Sequence, residues 1–190
     1  MKRTSLFFAV MLTVFTTFSQ SWVSDASHSR LGFSVKHLLI SDVTGNFKKF
    51  EVKAASTKPD YSDAKIELSA EIASINTDNE KRDEHLKGAD FFDVAQFSKL
   101  TFTSTSLKKI SPKNYKLVGN LTMHGITKTT SLNLVFVGKT TNPMNKKEIA
   151  VFTLKGEIKR FDFLVGSKFP AAMVSDEVEV NANIEMSPVE

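Results

Sequence analysis

The chain has 190 residues, with 25 lysines and arginines against 21 aspartates and glutamates, 16 phenylalanines and no cysteine. No disulfide framework can form, so stability must come from a buried core; the length suffices for one domain that buries about two-thirds of its unfolded surface. No basic stripe with interleaved aromatics occurs, which argues against nucleic acid as a partner.

Lys2 and Arg3 precede an apolar run from Leu6 to Phe18, followed by the small residues Ser19 and Ser21. This is the pattern of a secretory signal peptide, its apolar run being short for a bilayer span. Residues 1–21 are therefore set aside, and one domain is expected over 22–190, with cleavage points after Ser19 and after Ser21. With no cysteine there is no lipobox, so a soluble exported product is expected. Without Lys2 and Arg3 the balance is 23 basic against 21 acidic residues, so much of the basic character belongs to the leader.

Beyond Trp22, Leu31, Phe33, Val35 and His37 alternate with Gly32, Ser34, Lys36 and Leu38, the period of a half-buried strand. Gly45 marks an expected bend, after which Phe50, Val52 and Ala54 continue the pattern; Lys58-Pro59-Asp60 is a turn. Ile66, Leu68, Ala70 and Ile72 then oppose Lys65, Glu67, Ser69 and Glu71. The stretch from Thr77 to Phe102 breaks this rhythm. Thr77 and Glu80 have capping-box spacing, with Asp78 a rival cap, and Gly88 offers a left-handed helix end, so a short charged helix is predicted that runs into Phe91, Phe92, Phe97 and Phe102. Strands resume across LTFTSTSLKKI, KLVGNLTM, TTSLNLVFVGKT, EIAVFTLKGEIKR and the final run in which Val178, Val180, Ala182, Ile184 and Met186 alternate with polar residues. Turns are expected at Ser111 to Asn114, at His124-Gly125 and at Thr141 to Asn145.

About eight long strands, each with one apolar face, imply an all-β sandwich or closed barrel; closure removes exposed edges. Twelve phenylalanines remain after the leader, with Trp22 the one tryptophan. Small residues in lumen phase (Ala70, Gly119, Gly156, Ala182) favour an open lumen, although a side-chain-filled barrel, acting as a stress-related binding module, is the alternative. Burying about ten carbons of a lipid tail contributes roughly 8 kcal/mol before ordering costs, so an apolar tube binds lipid without special chemistry.

Metal and catalytic sites find little support. His28, His37, His85 and His124 are far apart in sequence and lack a closely spaced ligand pair, so no metal or cofactor is expected. Asp83 and His85 are a remote general-base pair, with Ser104 or Ser29 as nucleophile, but positions two apart on a helix point in different directions. No Gly-x-Ser-x-Gly elbow occurs. Arg82 and Asp83 are expected to tie the helix to neighbouring strands by ion pairs. No catalytic residue is assigned.

The run from Asp25 to Leu38, with Ser41, Val43, Gly45 and Phe47, resembles the opening motif of the YceI family. So do Ile75 and Thr77, the Arg82-Asp83-x-His85-Leu86 and Asp90-Phe91-Phe92-Asp93 blocks, Gly119 to Lys128, and Arg160-x-Asp162-Phe163. Phe97-Ser98 stands where the family usually has Tyr-Pro, and Leu164 where a Gly usually follows. The resemblance implies an extended eight-stranded antiparallel lipocalin-like barrel with one short helix, exported to a Gram-negative periplasm. It also implies a non-enzymatic role binding a polyisoprenoid or isoprenoid quinone in the lumen. Strand phase assigns Phe33, Val35, Leu68, Ile72, Phe102, Leu132, Leu134, Phe136, Phe152 and Val180 to the lining. Phe91 and Phe92 are expected at one end, and His37, Arg82 and His85 as contacts to a polar headgroup. Transient membrane contact is expected; monomer and homodimer both remain open.

Overall fold

The computed structural model describes residues 19–189; the apolar run of the expected signal peptide, Leu6 to Phe18, lies outside them. Eleven strands and one helix follow in order: β1 (Gln20–Ser24), β2 (Arg30–His37), β3 (Ser41–Phe47), β4 (Phe50–Ser56), β5 (Lys65–Glu71), β6 (Ile75–Asn76), α1 (Glu80–Lys87), β7 (Lys99–Lys109), β8 (Asn114–Met123), β9 (Ile126–Thr141), β10 (Glu148–Lys159) and β11 (Val174–Pro188).

These strands form a closed eight-stranded antiparallel barrel. β1 and β2 both pair with β11, through Trp22 to Pro188 and through Arg30 to Asn183, so they are two halves of one barrel strand interrupted at residues 25–29. β3 and β4 are likewise halves of the next strand, pairing with β2 and β1 respectively. The rest run as neighbours from β4 through β5, β7, β8, β9 and β10 to β11. Closure leaves the long strands no free edge, a stable solution for apolar inner faces in a chain with no disulfide.

Several local expectations are corrected. Gly45 sits inside β3 opposite Phe33, not at a bend; a Cβ there would lie 2.3 Å from the Phe33 ring, so glycine admits that ring. The cap of α1 is Asn79, whose side chain accepts from the Arg82 amide, and neither Thr77 nor Asp78 has that role. Gly88 closes the helix in an extended conformation (φ −72°, ψ 171°), not a left-handed one. β5 ends at Glu71, and Ile72 begins one turn of 3-10 helix. The His124-Gly125 hairpin has positive φ at both residues (52° and 73°), the conformation that tight hairpins require.

Candidate functional site

The barrel encloses an apolar tunnel of about 490 Å³. Its wall is the inward phase of nearly every strand: Leu31, Phe33 and Val35 on β2, Val52 and Ala54 on β4, Ile66 and Leu68 on β5, Leu117 and Leu121 on β8, Leu132 and Leu134 on β9, Phe152 and Leu154 on β10. On β11 the lining runs from Val174 to Met186. Those twelve steps span about 40 Å along the strand, or about 30 Å along the axis of a barrel with ordinary strand tilt. The interior is therefore not filled, and seven of the twelve phenylalanines serve as wall.

The small residues do not widen the tunnel as the lumen phase suggested. A Cβ on Gly119 would meet the Phe102 ring at 2.3 Å, and one on Gly156 would meet Leu132 Cδ2 at 2.3 Å. These glycines seat large neighbours flat against the wall. Ala70 is fully buried and does not line the tunnel; Ala182 does.

The two ends differ. At one end the lining includes exposed side chains, His37, His85 and Met173; this is the mouth. His85 stands edge-on to Phe91 (5.0 Å) and to Phe169 (5.6 Å), and those two rings stack at 4.8 Å. Phe91 follows α1, and Phe169 lies in the segment between β10 and β11, so two loops meet as an aromatic lid. Outside it, Lys168 Nζ donates to Asp90 at 2.6 Å, which holds the Asp90 carboxyl below the usual range, with the His85 ring a further 3.9 Å contact. At the other end the lining residues Trp22, Tyr61, Tyr115 and Met186 are all buried, which makes it the blind end. Tyr61 packs against Trp22 (5.7 Å), Phe136 (5.4 Å) and Phe152 (5.4 Å) as a plug.

Two arginines hold the mouth together, and neither does so through an ion pair. Arg82 donates from Nε to the Thr77 hydroxyl and from Nη2 to the Thr77 carbonyl, both at 2.8 Å. Thr77 in turn donates its amide (2.9 Å) and hydroxyl (2.6 Å) to Asp83. The predicted ties of Arg82 and Asp83 to strands are thus a hydrogen-bonded clasp on Thr77, closing α1 onto β6. Arg160, which motif resemblance flagged but lumen phase did not, is 3% exposed. Its guanidinium donates to five main-chain carbonyls: Ser175 from Nε, Val165 and Gly166 from Nη1, Phe169 and Val174 from Nη2. Burial lowers its pKa, with Asp176 acting in the opposite direction. One buried cation therefore gathers the whole segment that carries Phe169. Carbonyl dipoles replace its hydration, since a buried charge must be fully hydrogen-bonded.

Thirteen of the fifteen residues assigned from sequence line the tunnel: Phe33, Val35, His37, Leu68, Arg82, His85, Phe91, Phe92, Phe102, Leu132, Leu134, Phe152 and Val180. Ile72 does not. The chain has left β5 there, and Ile72 packs fully buried in the cluster containing Phe47, Ile75 and Phe91. Phe136 does not either; it keeps its phase, but its ring belongs to the plug with Tyr61 and Phe152. Sequence reading missed Trp22 and Tyr61 at the base and Arg160, Phe169 and Met173 at the mouth. Of these only Trp22, on a short strand, and Arg160, in a recognised motif, carried any local signal.

The remote catalytic grouping does not assemble. Asp83 faces Thr77, His85 faces the lid rings, the Ser104 hydroxyl accepts from the Ile66 amide, and Ser29 donates to the Glu185 carbonyl. His124 Nδ1 bonds the Phe163 carbonyl at 3.0 Å, and His28 lies at a strand interruption. There, contrary to the expectation from spacing, His28 has carboxylate neighbours: Asp25 at 3.3 Å and, from β11, Glu185 at 3.8 Å. His28 is exposed and the two carboxylates are partly buried, and Asp25 already accepts from the Ser27 and His28 amides.

A closed antiparallel barrel around a long apolar tunnel defines a lipocalin-like barrel protein organised about an internal site. The chain belongs to the YceI family, because the YceI-like domain model matches residues 22–186. A UPF0312 protein of Staphylococcus aureus strain USA300 is 35% identical over 167 residues, covering 86% of this chain and 95% of that protein. Among solved structures, the YceI protein of Campylobacter jejuni is 34% identical with a TM-score of 0.74, over 82% of this chain and 90% of the other. Burkholderia cenocepacia BcnA shares the fold at 21% identity and a TM-score of 0.76, over 85% and 98%. A polyisoprenoid-binding domain from Saccharophagus degradans shares it at 15% identity and 0.64, over 88% and 98%.

Proposed function

We propose that this protein is an exported, non-enzymatic carrier or store for a long isoprenoid-type lipid, a polyisoprenoid or isoprenoid quinone, held in the barrel tunnel. The observation that carries this reading is tunnel length. Its lining extends about 30 Å, whereas an acyl tail fills one leaflet, about half of a ~30 Å hydrocarbon core. A tail twice that long fits the full wall. The polyisoprenoid-binding description of the Saccharophagus neighbour supports the same class. The thirteen lining residues named above would contact the ligand, with His37, Arg82 and His85 ringing the part nearest the mouth.

Export to the periplasm is part of this reading and rests on the leader. Cleavage after Ser19 suits the fold better than cleavage after Ser21, because Gln20 and Ser21 pair with Ser56 and Ala55 in β1. The tip between β2 and β3 exposes Leu38 (53%), Leu39 (64%) and Ile40 (85%) beside the mouth, bonded to it through the Leu38 amide and the Met173 carbonyl. We assign this tip to transient membrane contact during loading. The test is organic extraction of purified protein followed by mass spectrometry. The expected result is a near-stoichiometric isoprenoid lipid; no such molecule, together with no uptake of added prenyl lipid, overturns the reading.

A further inference from the structure

Among the described residues, one buried side-chain polar atom has no hydrogen-bond partner, the Trp22 indole nitrogen. Trp22 is 3% exposed and its ring forms part of the tunnel wall at the blind end. Two of the hydroxyls near it are already committed. The Ser56 hydroxyl donates to Asp63 at 2.6 Å, and the Tyr115 hydroxyl donates to the Asp60 carbonyl at 2.6 Å. A buried donor left unpaired destabilises a fold, because it loses its bond to water and gains none in return. Phenylalanine is abundant in this wall and would pack there without that cost, yet the position holds the chain's one tryptophan. Beside it stand Tyr61, Phe152 and Phe136, a group of rings suited to a flat partner.

We infer that the blind end is a subsite for an oxygen-bearing ring, with the Trp22 N–H donating to its carbonyl or hydroxyl oxygen. The ligand then enters ring first and leaves its tail running toward the mouth. This rests on the lipid-carrier reading and narrows it to isoprenoids ending in a quinone or phenol ring. It also moves the polar end away from His37, Arg82 and His85, where strand phase had assigned it. Arg82 fits this reversal, since two of its nitrogens are bonded to Thr77.

The experiment compares tetraprenyl benzoquinone with tetraprenylbenzene, which has the same tail and a flat six-membered ring of similar size but no oxygen. The wild-type protein should bind the quinone roughly three- to tenfold more tightly, the range of one net hydrogen bond. Trp22→Phe should abolish that preference, bringing its two affinities to within about twofold of each other, whatever the change in packing does to both. Because the chain has one tryptophan, the wild-type protein gives one indole N–H proton resonance. It should move downfield with the quinone and not with the hydrocarbon, a readout that stands even if Trp22→Phe fails to fold. Equal wild-type affinities, a preference surviving in Trp22→Phe, or an unmoved resonance overturns the subsite; the last result would mean that the N–H donates to the Tyr61 ring. Those outcomes leave the carrier reading intact. Failure of both compounds to bind folded wild-type protein overturns the carrier reading and the subsite with it.

Discussion

The two ends of the barrel are closed by different physics. At the mouth, polar side chains reach inward and grip main chain: Arg160 holds five carbonyls, and Arg82, Thr77 and Asp83 clasp α1. The lid they support is three side-chain rings, His85 on α1 and Phe91 and Phe169 on two loops, joined by ring contacts and an exposed Lys168–Asp90 pair. At the base the arrangement is reversed. Rings line the inside, and the loop that carries Tyr61 is anchored from outside through Asp60 to Lys109 and through Asp63 to Ser56 and Thr57. A lid whose parts are separately anchored can part without unfolding either support. A plug buried among strand side chains cannot. On the carrier role proposed above, this difference would put passage at the mouth and retention at the base.

Removing the Arg160 grip should have the largest effect. Arg160→Met leaves five carbonyls without their donor, three of them in fully buried bonds, and should cost about 3–5 kcal/mol, measured by urea unfolding. Local hydrogen exchange should rise over residues 161–174 and leave 57–64 unchanged; equal loosening of both ends would refute the separation. Ala182→Phe narrows the tunnel partway along β11, dividing mouth from base. Long prenyl ligands should lose about tenfold in affinity for every two methylenes displaced, while short ones bind as before. Thr77→Val removes the hydroxyl that Asp83 and Arg82 share, leaves the main-chain bonds of residue 77, and should cost about 2 kcal/mol, again loosening α1 and not the base.

A smaller gain is expected from Leu164→Gly. Leu164 is exposed with φ of 56° and ψ of 18°, a conformation that costs a side-chain-bearing residue about 1–2 kcal/mol. Glycine relieves that strain but loses more backbone entropy on folding, so the net gain should be under about 1 kcal/mol in a thermal melt. Finally, the outer anchor of the base should respond to acid. The Lys109 ammonium donates to Asp60 and pulls its pKa down to about 2, while hydroxyl donors on Ser56 and Thr57 hold Asp63 well below the ordinary range. Both carboxylates are depressed in the folded state. Their contribution is therefore complete above an ordinary Asp pKa near 4 and is lost as pH falls toward 2. Acrylamide quenching of Trp22 fluorescence should stay low down to about pH 4 and rise below it; exposure beginning near neutral pH would contradict this anchor.

Much of the tunnel was legible from alternation because strand phase is local. Once Val178, Val180, Ala182, Ile184 and Met186 share a face, any closed barrel must bury them together. Phase failed where the chain left the strand, as at Ile72, and where it could not tell wall from plug, as at Phe136. The paired halves β1/β2 and β3/β4 escaped notice because their continuity exists only through β11 and through each other. Sequence by itself determined an all-β chain whose strands each carry one apolar face, with one short charged helix between strands, and its resemblance to the YceI family implied the barrel. Tertiary structure alone decided which end opens, that Arg160 governs the mouth, and that Trp22 stands unpaired at the base. The reason is separation along the chain: Trp22 meets Tyr61 and pairs with Pro188, and the Arg160 guanidinium closes loops of up to fifteen residues. No local period encodes such contacts; they arise only when the barrel closes.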